Sequence, residues 1–186
     1  DATSITYTFL HGNLLHLGSN MIFLWVFGDN VEDAMGHIRF LIFYLACAAA
    51  GAFAHGFLFP DSESPLIGAS GAVSGIVAAY LMLHPKVRVW VLVLGRIPLP
   101  LPAFIPLLFW VVFQFVMVVT DVGGEVSWAA HVGGIICGAV LVLFLRRSGV
   151  PLFDRRIESP RAVVHKTPQI VQEEQTPQPP RQKWGR

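Results

Sequence analysis

The chain has 186 residues, 54% of them hydrophobic and 13% charged, with a mean hydropathy of +0.58 and a net charge of +1. A soluble domain carries about 25% charged residues, so the composition excludes an ordinary soluble domain and points to a membrane protein. The net charge alone says nothing about partners, and the cysteines, Cys47 and Cys137, lie in apolar stretches without a second ligand at metal-binding spacing, as core-filling thiols do.

Long apolar runs predict transmembrane helices over residues 14–28, 40–59, 66–83, 103–120 and 127–145. The first is short for a bilayer, but its pattern extends back to Asn13 and forward past Asp29. Another apolar run, residues 89–94, is too short to span. Arg96, Pro98, Pro100 and Pro102 follow it, which predicts a loop skimming the interface. The fold class is therefore an all-α polytopic membrane bundle. Residues 1–146 form the membrane domain, and residues 147–186, rich in Pro and Gln among scattered charges, are expected to be a disordered cytoplasmic tail.

All 13 Lys and Arg residues fall on one side of these spans: Arg39 after the first, Lys86, Arg88 and Arg96 after the third, and the remainder after the fifth. The opposite loops hold Asp1, Asp61, Glu63, Asp121 and Glu125 and no basic residue. The positive-inside rule puts the C-terminus in the cytoplasm and residue 1 outside. An odd number of spans with the first residue outside predicts a further span upstream of Asp1.

Polar residues interrupt the spans at one depth. Ser70 lies 14 residues before His84, His131 lies 15 before Arg146, and His16 lies 13 before Asp29. At 1.5 Å per residue these offsets are about 20–22 Å above the cytoplasmic face. In a hydrocarbon core of about 30 Å all three then sit roughly 8–10 Å below the outer surface. A nucleophile and two imidazoles at that depth, with Asn20 one turn below His16, point to chemistry inside the bilayer. Gly71 and Gly75 beside Ser70, and Gly134 and Gly138 on the face of His131, form small-xxx-small pairs. They predict close packing of the third and fifth spans.

Together these residues resemble the rhomboid family of intramembrane serine proteases. The likeness rests on His11, His16 and Asn20 in one helix, on Gly68, Ser70 and Gly71 opening another, and on Ala130, His131, Gly134 and Gly138 late in the chain, over residues 5–146. It implies a rhomboid-like helical bundle with five of six transmembrane helices present and the first missing. It implies a Ser70–His131 dyad, with Ser70 as nucleophile and His131 as general base. It also implies an oxyanion site formed by His16, Asn20 and the backbone N–H groups of Ser70 and Ala69. The partners would be transmembrane protein substrates within a lipid bilayer, at a bacterial inner membrane. Where some family members carry an aromatic four residues after the nucleophile, this chain has Ser74.

The other polar residues have less specific readings. Glu32 is expected to tie helices together, His55 to be a satisfied interior or rim histidine, and His11 to support the loop above the site. Gln114 is expected to bond a neighbouring helix, with a role in gating substrate entry as the rival. No metal, cofactor or nucleic-acid signature is present. A pseudoprotease that binds membrane clients competes with the enzyme, and Ser70 and His131 both being present favours the enzyme. A transporter is disfavoured, since no paired broken helices are evident.

Overall fold

The structure, a computed structural model, describes residues 3–62, 65–93, 95–120 and 126–153. A short helix α1, Thr3–Thr6, and a 3-10 turn, Tyr7–Phe9, precede the bundle. Helix α2, Leu14–Phe23, starts at Asn13, whose side chain accepts the His16 N–H at 2.8 Å. That bond satisfies a donor the helix cannot satisfy internally. A π-helical stretch, Leu24–Gly28, carries the chain without a break into α3, Asp29–Met35. The first span therefore runs to Met35 rather than stopping at Gly28, and is long enough to cross a bilayer. It ends at Gly36, whose φ of +90° suits a residue without a side chain. Glu32 pairs with His37 across that break, so the acid joins one helix to the next.

Helix α4, His37–Leu58, begins ahead of the expected Phe40. Helix α5 is Ser70–Leu83, four residues shorter at its N-terminal end than the apolar run suggests. The difference lies at Gly68, where a φ of +108° turns the chain before the helix starts. Fourteen residues give a helix of about 21 Å, shorter than a hydrocarbon core of about 30 Å.

Residues 88–93 and 97–102 correct the expected loop, and residue 94, the end of the apolar run, lies outside the described residues. The two segments form an antiparallel hairpin, β1 Arg88–Val93 and β2 Ile97–Pro102, with Arg88 opposite Pro102 and Val93 opposite Ile97. The prolines that suggested a loop occupy alternate positions of β2. Ala103 donates its N–H to the Val87 carbonyl at 2.8 Å. Continuing that alternation, Leu99 and Leu101 face β1 with their N–H groups, while Pro98, Pro100 and Pro102 fall where an N–H would point away from the pair. Proline is tolerated on an edge strand for that reason. The hairpin adds the only strands among the described residues to an otherwise helical architecture.

Helices α6, Phe104–Thr120, and α7, Trp128–Leu145, complete the bundle. By length and hydropathy α4 and α7 suffice to cross a membrane, while α5 and α6 are shorter apolar helices. Helix α5 is central, buried along nearly its whole length and touching α2, α3, α4, α6 and α7. Val31, Met35, Phe43, Cys47, Ile76, Tyr80, Leu83 and Val142 form the core around its inner half.

The glycines set how closely the helices approach. A Cβ on Gly134 would overlap the Gly71 carbonyl, and one on Gly138 would overlap that of Gly75. A Cβ on Gly75 would lie 2.5 Å from Cys47 Sγ. Helices α5 and α7 thus meet backbone to backbone along the two glycine faces.

Past α7 the chain returns to the bundle. Arg147 N–H bonds the Ala34 carbonyl at 2.8 Å and Phe153 N–H bonds that of Met82 at 2.7 Å. Residues 147–153 are therefore packed, although the expected tail begins at 147. Its remainder, residues 154–186, lies outside the described residues.

Candidate active site

Helices α2, α5 and α7 enter from the same end of the bundle, and their first turns carry His16, Ser70 and His131. Ser70 is the first residue of α5, after Ala69 as N-cap. At that position its backbone N–H has no intrahelical acceptor, and the helix dipole favours negative charge. The preceding turn is anchored from below. Gly68 N–H bonds the Tyr7 carbonyl at 3.1 Å, and the buried Tyr7 hydroxyl donates to the Ala48 carbonyl at 2.8 Å. Ser74, in the position of the absent aromatic, donates to the Ser70 carbonyl at 2.6 Å.

His131 is 9% exposed and sits one turn into α7. Ser127 caps that helix, accepting the Ala130 N–H at 3.3 Å, and its hydroxyl also meets His55 Nδ1 at 2.7 Å. His55 thereby ties the start of α7 to α4. The His131 ring is held on several sides. Its Nδ1 lies 2.7 Å from Gln114 Oε1. Trp110 stacks on it at 6.1 Å between ring centroids, and Trp128 meets it edge-on at 5.9 Å. These contacts replace the missing aromatic on α5. Among the described residues no hydrogen bond joins Ser70 Oγ to His131, so the expected dyad contact is not closed here. Catalytic hydrogen bonds are often long without substrate.

His16 brings the third element to Ser70. A Cβ on Gly68 would lie 2.6 Å from both Cε1 and Nε2 of His16, so that ring edge rests on the turn leading into α5. The opposite nitrogen, Nδ1, accepts the Gly12 N–H at 3.5 Å. With Nδ1 accepting, a neutral His16 carries its proton on Nε2, the side facing the turn. His11 supports His16 edge-on at 5.2 Å. Asn20 is 5% exposed and donates one amide N–H to the His16 carbonyl at 3.0 Å, leaving a second N–H. His16 and Ser70 are half-buried, and Gly12 and Asn13 beside them are exposed, so the cluster opens toward the end of the bundle at which α2, α5 and α7 start.

The sequence reading left out Trp110 and Trp128, and the two caps Asn13 and Ser127. Its signals were present: Trp110 and Gln114 share one face of α6 at i and i+4, Trp128 and His131 share one face of α7 at i and i+3, and each cap stands three residues before the N–H it accepts.

Parallel helices α5 and α7 brought into backbone contact at glycines, with a serine at one N-terminus and an imidazole one turn into the other, make a polar cluster within the bundle of an integral membrane protein. The chain belongs to the rhomboid family: the Rhomboid domain matches residues 2–148. It is 28% identical over 161 residues to RHOMBOID-like protein 12, mitochondrial, of Arabidopsis thaliana, covering 78% of this chain and 46% of that protein. It is 27% identical over 161 residues to Rhomboid protein 1, mitochondrial, of Saccharomyces cerevisiae, covering 81% and 44%. A shorter match, 40% over 77 residues, is to Rhomboid protease GluP of Bacillus subtilis, covering 41% of this chain and 15% of that protein. The chain spans less than half the length of the curated relatives it matches over most of its own length.

Proposed function

We propose that this chain is the membrane domain of an intramembrane serine endopeptidase that cleaves transmembrane segments with Ser70 and His131. The observation that carries this reading is the seating of α7 on α5 at Gly134 and Gly71, next to both residues, with the His131 ring held by Gln114 and two tryptophans. Ser70 Oγ attacks the scissile carbonyl carbon while His131 Nε2 takes its proton. The same proton goes to the leaving amine, and water then hydrolyses the Ser70 ester with His131 again as base. The tetrahedral oxyanion is held by the Ser70 N–H, His16 Nε2–H and the second Asn20 N–H, with the Ala69 N–H adjacent.

Substrates reach such a site as helices, whose interior carbonyls are bonded to amides four residues on. Unwinding in hydrocarbon exposes costly unpaired groups, and a polar site open to the outer side lowers that cost. Substrates are accordingly single-span proteins with Gly, Pro or polar residues in the outer part of the span. The charge bias supports a C-terminus on the cytoplasmic side. We place the chain in a bacterial inner membrane; the mitochondrial names of several relatives conflict with that membrane and leave the orientation unchanged.

A fluorophosphonate probe applied to the full-length protein tests the reading. Ser70 becomes labelled, and Ser70→Ala abolishes the label. Labelling that persists in Ser70→Ala removes Ser70 as nucleophile, and no label in a folded wild-type protein favours the client-binding pseudoprotease. The oxyanion groups have their own test. Losing one donor typically costs about 10²-fold or more in rate, and the remaining donors offset part of it, so Asn20→Ala lowers kcat partially. Unchanged kcat in both Asn20→Ala and His16→Ala takes them out of the mechanism.

A further inference from the structure

Gln114 is 1% exposed in the middle of α6, and both ends of its amide are engaged. Its Nε2 donates to the Trp110 carbonyl at 3.2 Å, and its Oε1 faces His131 Nδ1 at 2.7 Å. The two contacts are not interchangeable. A carbonyl oxygen only accepts, so the NH2 of the amide must face Trp110. The amide oxygen is thereby directed at the imidazole and can be satisfied there only by an N–H. His131 must then carry its proton on Nδ1, which leaves Nε2 bare. An imidazole left to itself prefers the proton on Nε2, the form in which Nε2 cannot accept one from a serine.

We propose that Gln114 is a positioning residue that fixes His131 in the tautomer able to deprotonate Ser70, so that a buried neutral amide on α6 does part of what a carboxylate does in a Ser-His-Asp triad. The proposal rests on the protease reading and deepens it. A carboxylate at this depth would have to be desolvated without a cation beside it, whereas an amide keeps the acceptor oxygen and costs no buried charge. The Trp110 ring stacked on the same imidazole is on the residue whose carbonyl orients the amide. One turn of α6 therefore sets both the plane of the ring and the nitrogen that holds its proton.

The test uses the full-length protein in lipid nanodiscs and two variants. Gln114→Met keeps the length of the side chain and removes the acceptor. Gln114→Glu keeps an oxygen toward His131 and, protonated, a donor toward Trp110. The tautomer is read from the 15N resonances of His131 in a Ser70→Ala background, where it does not depend on turnover. The expected wild-type ring is protonated at Nδ1 and bare at Nε2, and Gln114→Met shifts it toward the other form. With Ser70 restored, Gln114→Met lowers kcat on a single-span substrate by about 10²-fold, the lower end of what a positioned base contributes. KM changes little, and Gln114→Glu recovers most of the loss. A wild-type ring bare at Nδ1 overturns the proposal without any variant having to fold. So does a folded Gln114→Met protein with unchanged tautomer and kcat. Cleavage surviving Ser70→Ala would instead overturn the protease reading, and the tautomer measurement would still stand as the test of Gln114.

Discussion

Ser70→Ala and His131→Ala each reduce cleavage of a single-span substrate by at least about 10⁴-fold in the purified full-length protein, the scale expected when either member of a nucleophile–base unit is lost. Both variants keep the wild-type expression level, and Ser70→Ala also keeps the wild-type thermal stability. Ser70 is half-buried at a helix start, and its side chain makes no hydrogen bond among the described residues, so its hydroxyl contributes little to packing. His131 is more deeply engaged, and His131→Ala opens space beside Trp110, Trp128 and Gln114. His131→Gln is the companion variant, because it refills that space with a side chain that cannot act as a base. The double variant is no worse than either single one, since the two residues act on one step. Cleavage by Ser70→Ala above the level of an empty-membrane control contradicts the assignment.

Gly134→Leu abolishes activity by a different route. The position has no room for a Cβ, which would overlap the Gly71 carbonyl. Overpacking of a well-packed contact costs about 1–3 kcal/mol and occasionally more. Here the obstructing atom is backbone and cannot swing aside, so α7 must move away from α5. Helix association in lipid relies on such close contact rather than on a hydrophobic drive. His131, one turn from Gly134, is carried away from Ser70 with it. We expect a large drop in thermal stability and loss of fluorophosphonate labelling together. Gly18→Ala and Gly56→Ala are the controls, since an added methyl at either site meets nothing within 4 Å. Both should match wild type, and a Gly134→Leu protein that does so as well would mean that α5 and α7 do not pack along these glycines.

Much of the fold is one-dimensional information. Apolar length marks the helices and charge marks which side their connections occupy, so these were legible residue by residue. The hairpin was not. Pro98, Pro100 and Pro102 are strong loop signals, and only their pairing with β1 shows that each falls where no ladder N–H is needed. The late start of α5 was missed for a related reason: residues 66–69 are apolar enough to continue a span, but the positive φ at Gly68 turns the chain.

The candidate site divides in the same way. The sequence alone supplied the candidate side chains and an expected common depth for them, because helical rise converts spacing into height whatever the neighbours are. Ser70, His131 and His16 follow from that arithmetic, and the shared rhomboid motifs single out the same residues. What touches His131 was decided only by tertiary structure. Gln114 stands 17 positions away on another helix, and its contact depends on how α6 is rotated about its axis against α7. Ring packing at Trp110 bears on the rotation of α6, and backbone contact at Gly71 and Gly134 sets the separation of α5 and α7. Both properties belong to pairs of helices, so neither can be computed from the spacing of residues along one.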